Sequence, residues 1–147
     1  MNIGYACINM QLSYPQKYGG QEKGVLPITT GRSMIRRTFD SKGIVYASEK
    51  TLSNCSDLEE IVKWNINNGY KFFRVTSNLA PWKSEYRWDE MPDIEQIRRH
   101  LWSAGTMANT HNLRLTSHPG PFNVLTSPHP HVVTNCVRDL TDHGDVF

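Results

Sequence analysis

Apolar and polar positions along this chain follow two rhythms. Between residues 43 and 68, Leu52, Cys55, Leu58, Ile61, Val62 and Ile66 recur three and four apart. That spacing predicts a helix with one buried face, and Gly69 is placed to end it from the C′ position. Residues 2–7 (NIGYAC), 71–77 (KFFRVTS) and 112–117 (NLRLTS) read instead as short strands. Asp93 follows Pro92 as an N-cap, and Ile94, Ile97, Leu101, Ala104, Met107 and Ala108 predict a second helix behind it. Val132, Val133, Cys136, Val137 and Leu140 predict a third. Strands that alternate with helices imply parallel pairing through right-handed crossovers. In such folds functional residues collect at the carboxyl ends of the strands. Those ends are Tyr5 to Asn9, Ser77 with Asn78, and His118. Pro119-Gly120-Pro121 stops the last strand there and fixes the imidazole's direction.

Residues 11–34 carry two prolines, Gly19-Gly20 and many polar groups, and read as one long loop. A structureless stretch of that size is either functional or a surface insertion. The whole chain of 147 residues suits one domain, residues 1–147, although 38% hydrophobic content is low for a compact α/β core. The net charge of +2 neither demands nor excludes nucleic acid. Cys7, Cys55 and Cys136 are widely spaced and form no CxxC, so buried free thiols are expected. The amino terminus lacks a signal-peptide pattern, and no apolar run reaches the roughly 20 residues of a membrane span. A cytoplasmic location with no membrane partner is the expectation.

His118 at a strand tip leaves three roles open on sequence alone: a metal ligand, a general base or a satisfied structural residue. A hydrolytic metal centre needs further His, Asp or Glu ligands from other strand ends. The first two strand ends offer Tyr5, Cys7, Asn9, Ser77 and Asn78, and no carboxylate. His129 and His131 read as solvated, His143 as surface or cap, and His100 and His111 as structural. Arg32, Arg36 and Arg37 cluster after the long loop, and Lys71, Arg74 and Arg114 lie within strands. Such groups contact phosphates if they share a face, and are otherwise solvated. No nucleotide-cradling glycine motif, GxSxG or HExxH occurs.

Four segments in chain order resemble the UV damage endonuclease family of the UvdE type. They are IGYACIN (3–9), TTGRSM (29–34), DLEEIVKWNINNGYKFFRVTSNLAPW (57–82) and LRLTSHPGPFNVLTSPHPHVV (113–133). The resemblance implies an α/β metalloenzyme of the (β/α)8 TIM-barrel type. It implies a cluster of divalent metals, typically manganese, and nicking of double-stranded DNA immediately 5′ of ultraviolet photoproducts in excision repair. Carried over by position, His118 matches the metal-ligating histidine of the HPG motif. Tyr5 and Asn9 match positions beside the damage pocket, and Asn78 stands where an aspartate or histidine is usual. Pro121 and Phe122 occupy the place of a Gln-Tyr pair that wedges into DNA. Phe122 keeps a ring that stacks, whereas Pro121 lacks the amide.

A complete barrel needs about 250 residues. The expectation is therefore a barrel truncated to about its first three βα units, lacking most metal ligands and inactive alone. A second chain supplying the missing barrel half is one way to complete it. A non-catalytic DNA-binding module built on Arg32, Arg36, Arg37 and the Phe122 loop is the alternative. A further one is another metal-dependent barrel, such as a sugar isomerase relative.

Overall fold

The structure is a computed structural model that describes residues 3–120 and 123–146. Strands β1 (Gly4–Ala6), β2 (Phe72–Arg74) and β3 (Arg114–Thr116) form one parallel sheet in the order β1-β2-β3. Its register pairs Tyr5 with Phe73 and Phe73 with Leu115. The ladder continues past the strands through bonds such as Cys7 N to Arg74 O and Val75 N to Thr116 O, both 2.7 Å. Short helices α1 (Met10–Ser13) and α2 (Pro15–Tyr18) follow β1. The long helix α3 (Arg36–Asn67) leads to β2, α4 (Ile94–Thr110) to β3, and α5 (Pro130–Gly144) follows β3.

Sequential strands joined by crossovers of one hand place their helices on one side of the sheet. The core bears this out. Cys55, Leu58, Ile61 and Val62 of α3 and Ile97, Ala104 and Ala108 of α4 meet Phe73, Val75 and Leu113 in one buried cluster. Side chains alternate across a strand, so Tyr5, Phe73 and Leu115 face these helices. Gly4, Ala6, Phe72, Arg74, Arg114 and Thr116 lie on the opposite face, where both arginines are exposed. Gly4 has no room for a side chain, since a Cβ would stand 2.1 Å from the Phe72 carbonyl oxygen.

The end of α3 matches the sequence reading closely. Gly69 takes φ +74°, its N–H reaches Ile66 O at 3.1 Å, and Tyr70 N–H reaches Asn65 O at 3.0 Å. These bonds form a Schellman motif, which closes the last carbonyls. Three expectations need correction. The helix begins at Arg36 and breaks at Gly43, whose φ of 64° and ψ of −159° are non-helical. The segment 11–34 is not one loop, because α1 and α2 occupy its start. Asn9 causes this by capping α1, its Oδ1 accepting from Gln11 N and Leu12 N at 3.1 Å. Asp93 does precede α4, but its carboxylate makes no cap bond. It accepts instead from the buried Ser48 hydroxyl at 2.8 Å and so ties α4 to α3.

A second tie joins His100 of α4 to Glu59 of α3, with Nδ1 and Oε2 2.8 Å apart. The His100 hydrogen bond holds the Glu59 carboxyl below its ordinary range, with partial burial opposing it and Lys63 and Ser103 assisting. A depressed carboxylate stabilises the fold above its unfolded pKa, near 4.3 for glutamate, and loses that contribution as pH falls through the folded value. Acid unfolding followed by circular dichroism is therefore expected to be shallower below about pH 4.3 for Glu59→Gln than for the parent. Equal slopes would remove Glu59 from the account.

Candidate active site

The carboxyl ends of the three strands open on the same rim. Just past β1, Cys7 adopts φ 63°, a left-handed conformation unusual for a residue with a side chain. Just past β3, His118 leads into the proline-glycine segment. The two side chains meet although β2 lies between their strands, with Cys7 Sγ 3.6 Å from His118 Nε2. His118 Nδ1 lies 3.1 Å from the Pro119 carbonyl. A carbonyl only accepts, so Nδ1 carries the proton and Nε2 presents its lone pair to the thiol.

Tyr5 and Asn9 come together on the helix side of β1. Asn9 Nδ2 donates to the Tyr5 hydroxyl, which donates to Asn65 Oδ1, both at 2.7 Å. Burial pushes the Tyr5 phenol up to about 12 against the pull of Asn9 and Asn65, so it stays protonated at neutral pH. Tyr5 and Asn9 line a cleft of about 430 Å³ with Ile8, Trp64 and Tyr70. Asn65 is fully buried, and its Nδ2 has no partner among the described residues. Asn78, past β2, is exposed and donates to Ser33 Oγ at 2.9 Å. It thereby touches the segment 29–34 rather than His118 or Cys7.

The arginine cluster divides into three roles. Arg32 turns inward, with Nη1 at 2.5 Å from Asp57 Oδ2 and further bonds to the Thr29 and Pro27 carbonyls. Asn54 fixes the same turn, accepting from Arg32 N and donating to the carbonyls of Arg32 and Leu79. Arg36 is exposed, pairs with Asp40 and Glu85, and lies over the Trp82 ring. Arg37 is exposed with no ion pair among the described residues. Pro121 and Phe122 lie outside the described residues. His129 and His131 are exposed, as expected. His143 departs from expectation. Its side chain is largely covered and lies 3.8 Å from Asp139, because α5 rests that side on the segment after β2.

That docking escaped the sequence reading. Lys83, at a 3-10 turn over Lys83–Glu85, reaches Asp142 of α5 at 2.7 Å and the Tyr86 carbonyl at 2.9 Å. Its ammonium also lies over the Trp88 ring. The two partners stand 59 residues apart in sequence, and no local pattern links them.

The model of the family described as UV-endonuclease UvdE matches residues 1–147. The chain belongs to this family. The UV-damage endonuclease of Schizosaccharomyces pombe is 31% identical over 145 residues, which cover 99% of this chain and 22% of that protein. The UV DNA damage endonuclease of Clostridium perfringens is 28% identical over 150 residues, covering 97% of this chain and 30% of that protein. A crystal structure titled SacUVDE matches with a TM-score of 0.75 at 22% identity, over 99% of this chain and 44% of that one. This likeness speaks for the fold, an α/β arrangement with a parallel sheet. The chain thus spans less than half the length of each of these relatives. No helix among the described residues is long and apolar enough to cross a membrane.

Proposed function

We propose that this chain contributes three βα units to a (β/α)8 barrel that nicks double-stranded DNA 5′ of ultraviolet photoproducts and so begins excision repair. The observation that carries this reading is the family match over all 147 residues, joined to a histidine at the carboxyl end of β3. The single-hand winding supports a barrel. Strands in order β1-β2-β3 with their helices on one side curl toward closure, whereas a doubly wound sheet reverses its order. The bare sheet face with Arg74 and Arg114 becomes the barrel interior once further strands close it, from this polypeptide or from a second chain.

His118 would be a ligand, and a divalent metal bound there would lower the pKa of a water and polarise the phosphodiester. Manganese takes oxygen-rich ligand sets. Among the described residues no group of three or more His, Cys, Asp or Glu is poised to hold a metal. Among the described residues, His118 would therefore supply one ligand position toward such a cluster, the others coming from further strands. Tyr5 and Asn9 would form the wall behind the extruded base, and Asn78 would be a polar neighbour of the site. Arg37, without an ion pair among the described residues, would make a phosphate contact, and Arg36 would join it by exchanging Asp40 and Glu85 for phosphate. Arg32 would act by holding the 29–34 segment in place. Phe122 would stack at the lesion, where unstacking costs least.

The test is nicking of an irradiated duplex, against an unirradiated control, with manganese. The isolated chain is expected to show no lesion-dependent nicking while folded by circular dichroism. Addition of a polypeptide supplying the remaining strands is expected to restore it, and His118→Ala to lower it by about 100-fold or more. Nicking untouched by His118→Ala would overturn the assignment. Salt-sensitive DNA binding that ignores manganese and never yields a nick would favour a binding module.

A further inference from the structure

We infer that Lys42, Tyr46 and Lys50 of α3 grip the phosphate backbone of the duplex beside the lesion, outside the strand-end site. The inference rests on the DNA reading above and adds to it a surface for undamaged flank. α3 follows β1 and runs back to the start of β2, so its first half is the part nearest the carboxyl rim. Arg36 at its start pairs with Glu85 and lies over the Trp82 ring, both past the carboxyl end of β2. Further along, Lys42, Tyr46 and Lys50 follow one another at intervals of four residues, the spacing that brings helical side chains onto one face. Lys42 keeps its place on that face although the backbone breaks at Gly43. Its Nζ lies 4.2 Å from the centre of the Tyr46 ring, and that of Lys50 lies 4.7 Å from the same centre.

Each ammonium is attracted to the ring, but the two like charges repel one another. Neither lysine forms an ion pair among the described residues. Asp40 is taken by Arg36, and the exposed Glu49 pairs with no cation among them. The ring also restrains two long side chains, so less rotamer freedom is lost when they meet a ligand. A ligand that relieves both charges must offer anions at close, regular spacing. A nucleic-acid backbone does so, with one phosphate per nucleotide. Contacts of this kind carry no sequence information and fix a protein's place on the duplex. Arg37 extends the surface toward the rim, being exposed, without an ion pair among the described residues, and on the same helix. Charge and continuity therefore both favour a duplex running off the strand ends along the first half of α3.

Fluorescence anisotropy with a labelled duplex, irradiated or unirradiated, tests this without any nicking step. The parent chain is expected to bind both duplexes with salt-sensitive affinity. Lys42→Gln/Lys50→Gln should flatten the plot of log affinity against log salt by about 1.8, at about 0.9 per phosphate, and weaken binding about 100-fold at low salt, equally on both duplexes. Tyr46→Leu should keep the slope, since no charge is lost, and weaken binding about 5-fold because the lysines lose their common anchor. Tyr46→Phe should restore the parental affinity. Each variant would be checked for parental circular dichroism. A parental slope in the double variant would overturn the proposal. So would a loss confined to irradiated duplex, which would place the lysines at the lesion, and so would no duplex binding by the folded chain. Lysine-dependent binding of polyglutamate in place of DNA would overturn it in favour of an acidic protein partner. Lysine-dependent duplex binding beside a failed nicking assay would sink the nuclease reading and leave this surface intact. Restored nicking beside an unchanged affinity in the double variant would do the reverse.

Discussion

Lys83→Met is expected to lower the stability of this chain by about 3–5 kcal/mol, the cost of leaving a covered charge without its partner. Lys83 and Asp142 are only 13% and 17% exposed, so water does little to replace a lost ammonium. The substitution also strips the Tyr86 carbonyl of a donor and removes the cation from the Trp88 ring. Methionine keeps the length and apolar stem of lysine, so lost packing contributes little. For a chain of this size each kcal/mol moves the melting temperature by about 2–4 °C, and a fall of roughly 10 °C should appear in a thermal scan. The companion Lys83→Met/Asp142→Leu should recover much of the loss, because removing both charges also removes the desolvation cost. A double variant no better than the single would mean that the contact stabilises through its packing and not its charge.

The same pair illustrates what sequence carries and what it does not. The buried face of α3 was legible because Cys55, Leu58, Ile61 and Val62 repeat at the helical period, and all are at most 3% exposed. The Gly69 terminus was legible because only a residue free of Cβ strain adopts its φ cheaply. The parallel order followed from alternating elements and one allowed hand. Ties between distant elements were not legible, because a polar residue's partner is set by topology. Asp93 has a cap's sequence context, but Ser48, 45 residues away, competes for its carboxylate and wins. The three arginines at 32, 36 and 37 look alike in sequence, and Asp57, Asp40 and Glu85 decide which of them face inward or pair. His118 was picked out by its place at a strand tip. Its contact with Cys7, 111 residues away, needed the left-handed turn that only the backbone reveals.

Phe73→Ala is expected to have the other large effect, about 3–5 kcal/mol, against total stabilities of about 5–15 kcal/mol for ordinary domains. Phe73 is fully buried at the centre of the middle strand and packs against the Tyr5 ring with centroids 5.1 Å apart. Truncation leaves a cavity between sheet and helices that the flanking strands close only by moving. The loss should appear as a lower urea midpoint with an unchanged slope. Its consequence reaches the rim. Cys7 and His118 are spaced by β2 beneath them, through Cys7 N to Arg74 O on one side and Val75 N to Thr116 O on the other. Loosening β2 should spread the thiol and the imidazole, so the folded variant should also alkylate faster at Cys7. Weakened folding with an unchanged alkylation rate at Cys7 would show that the rim holds its spacing without the middle strand's core anchor.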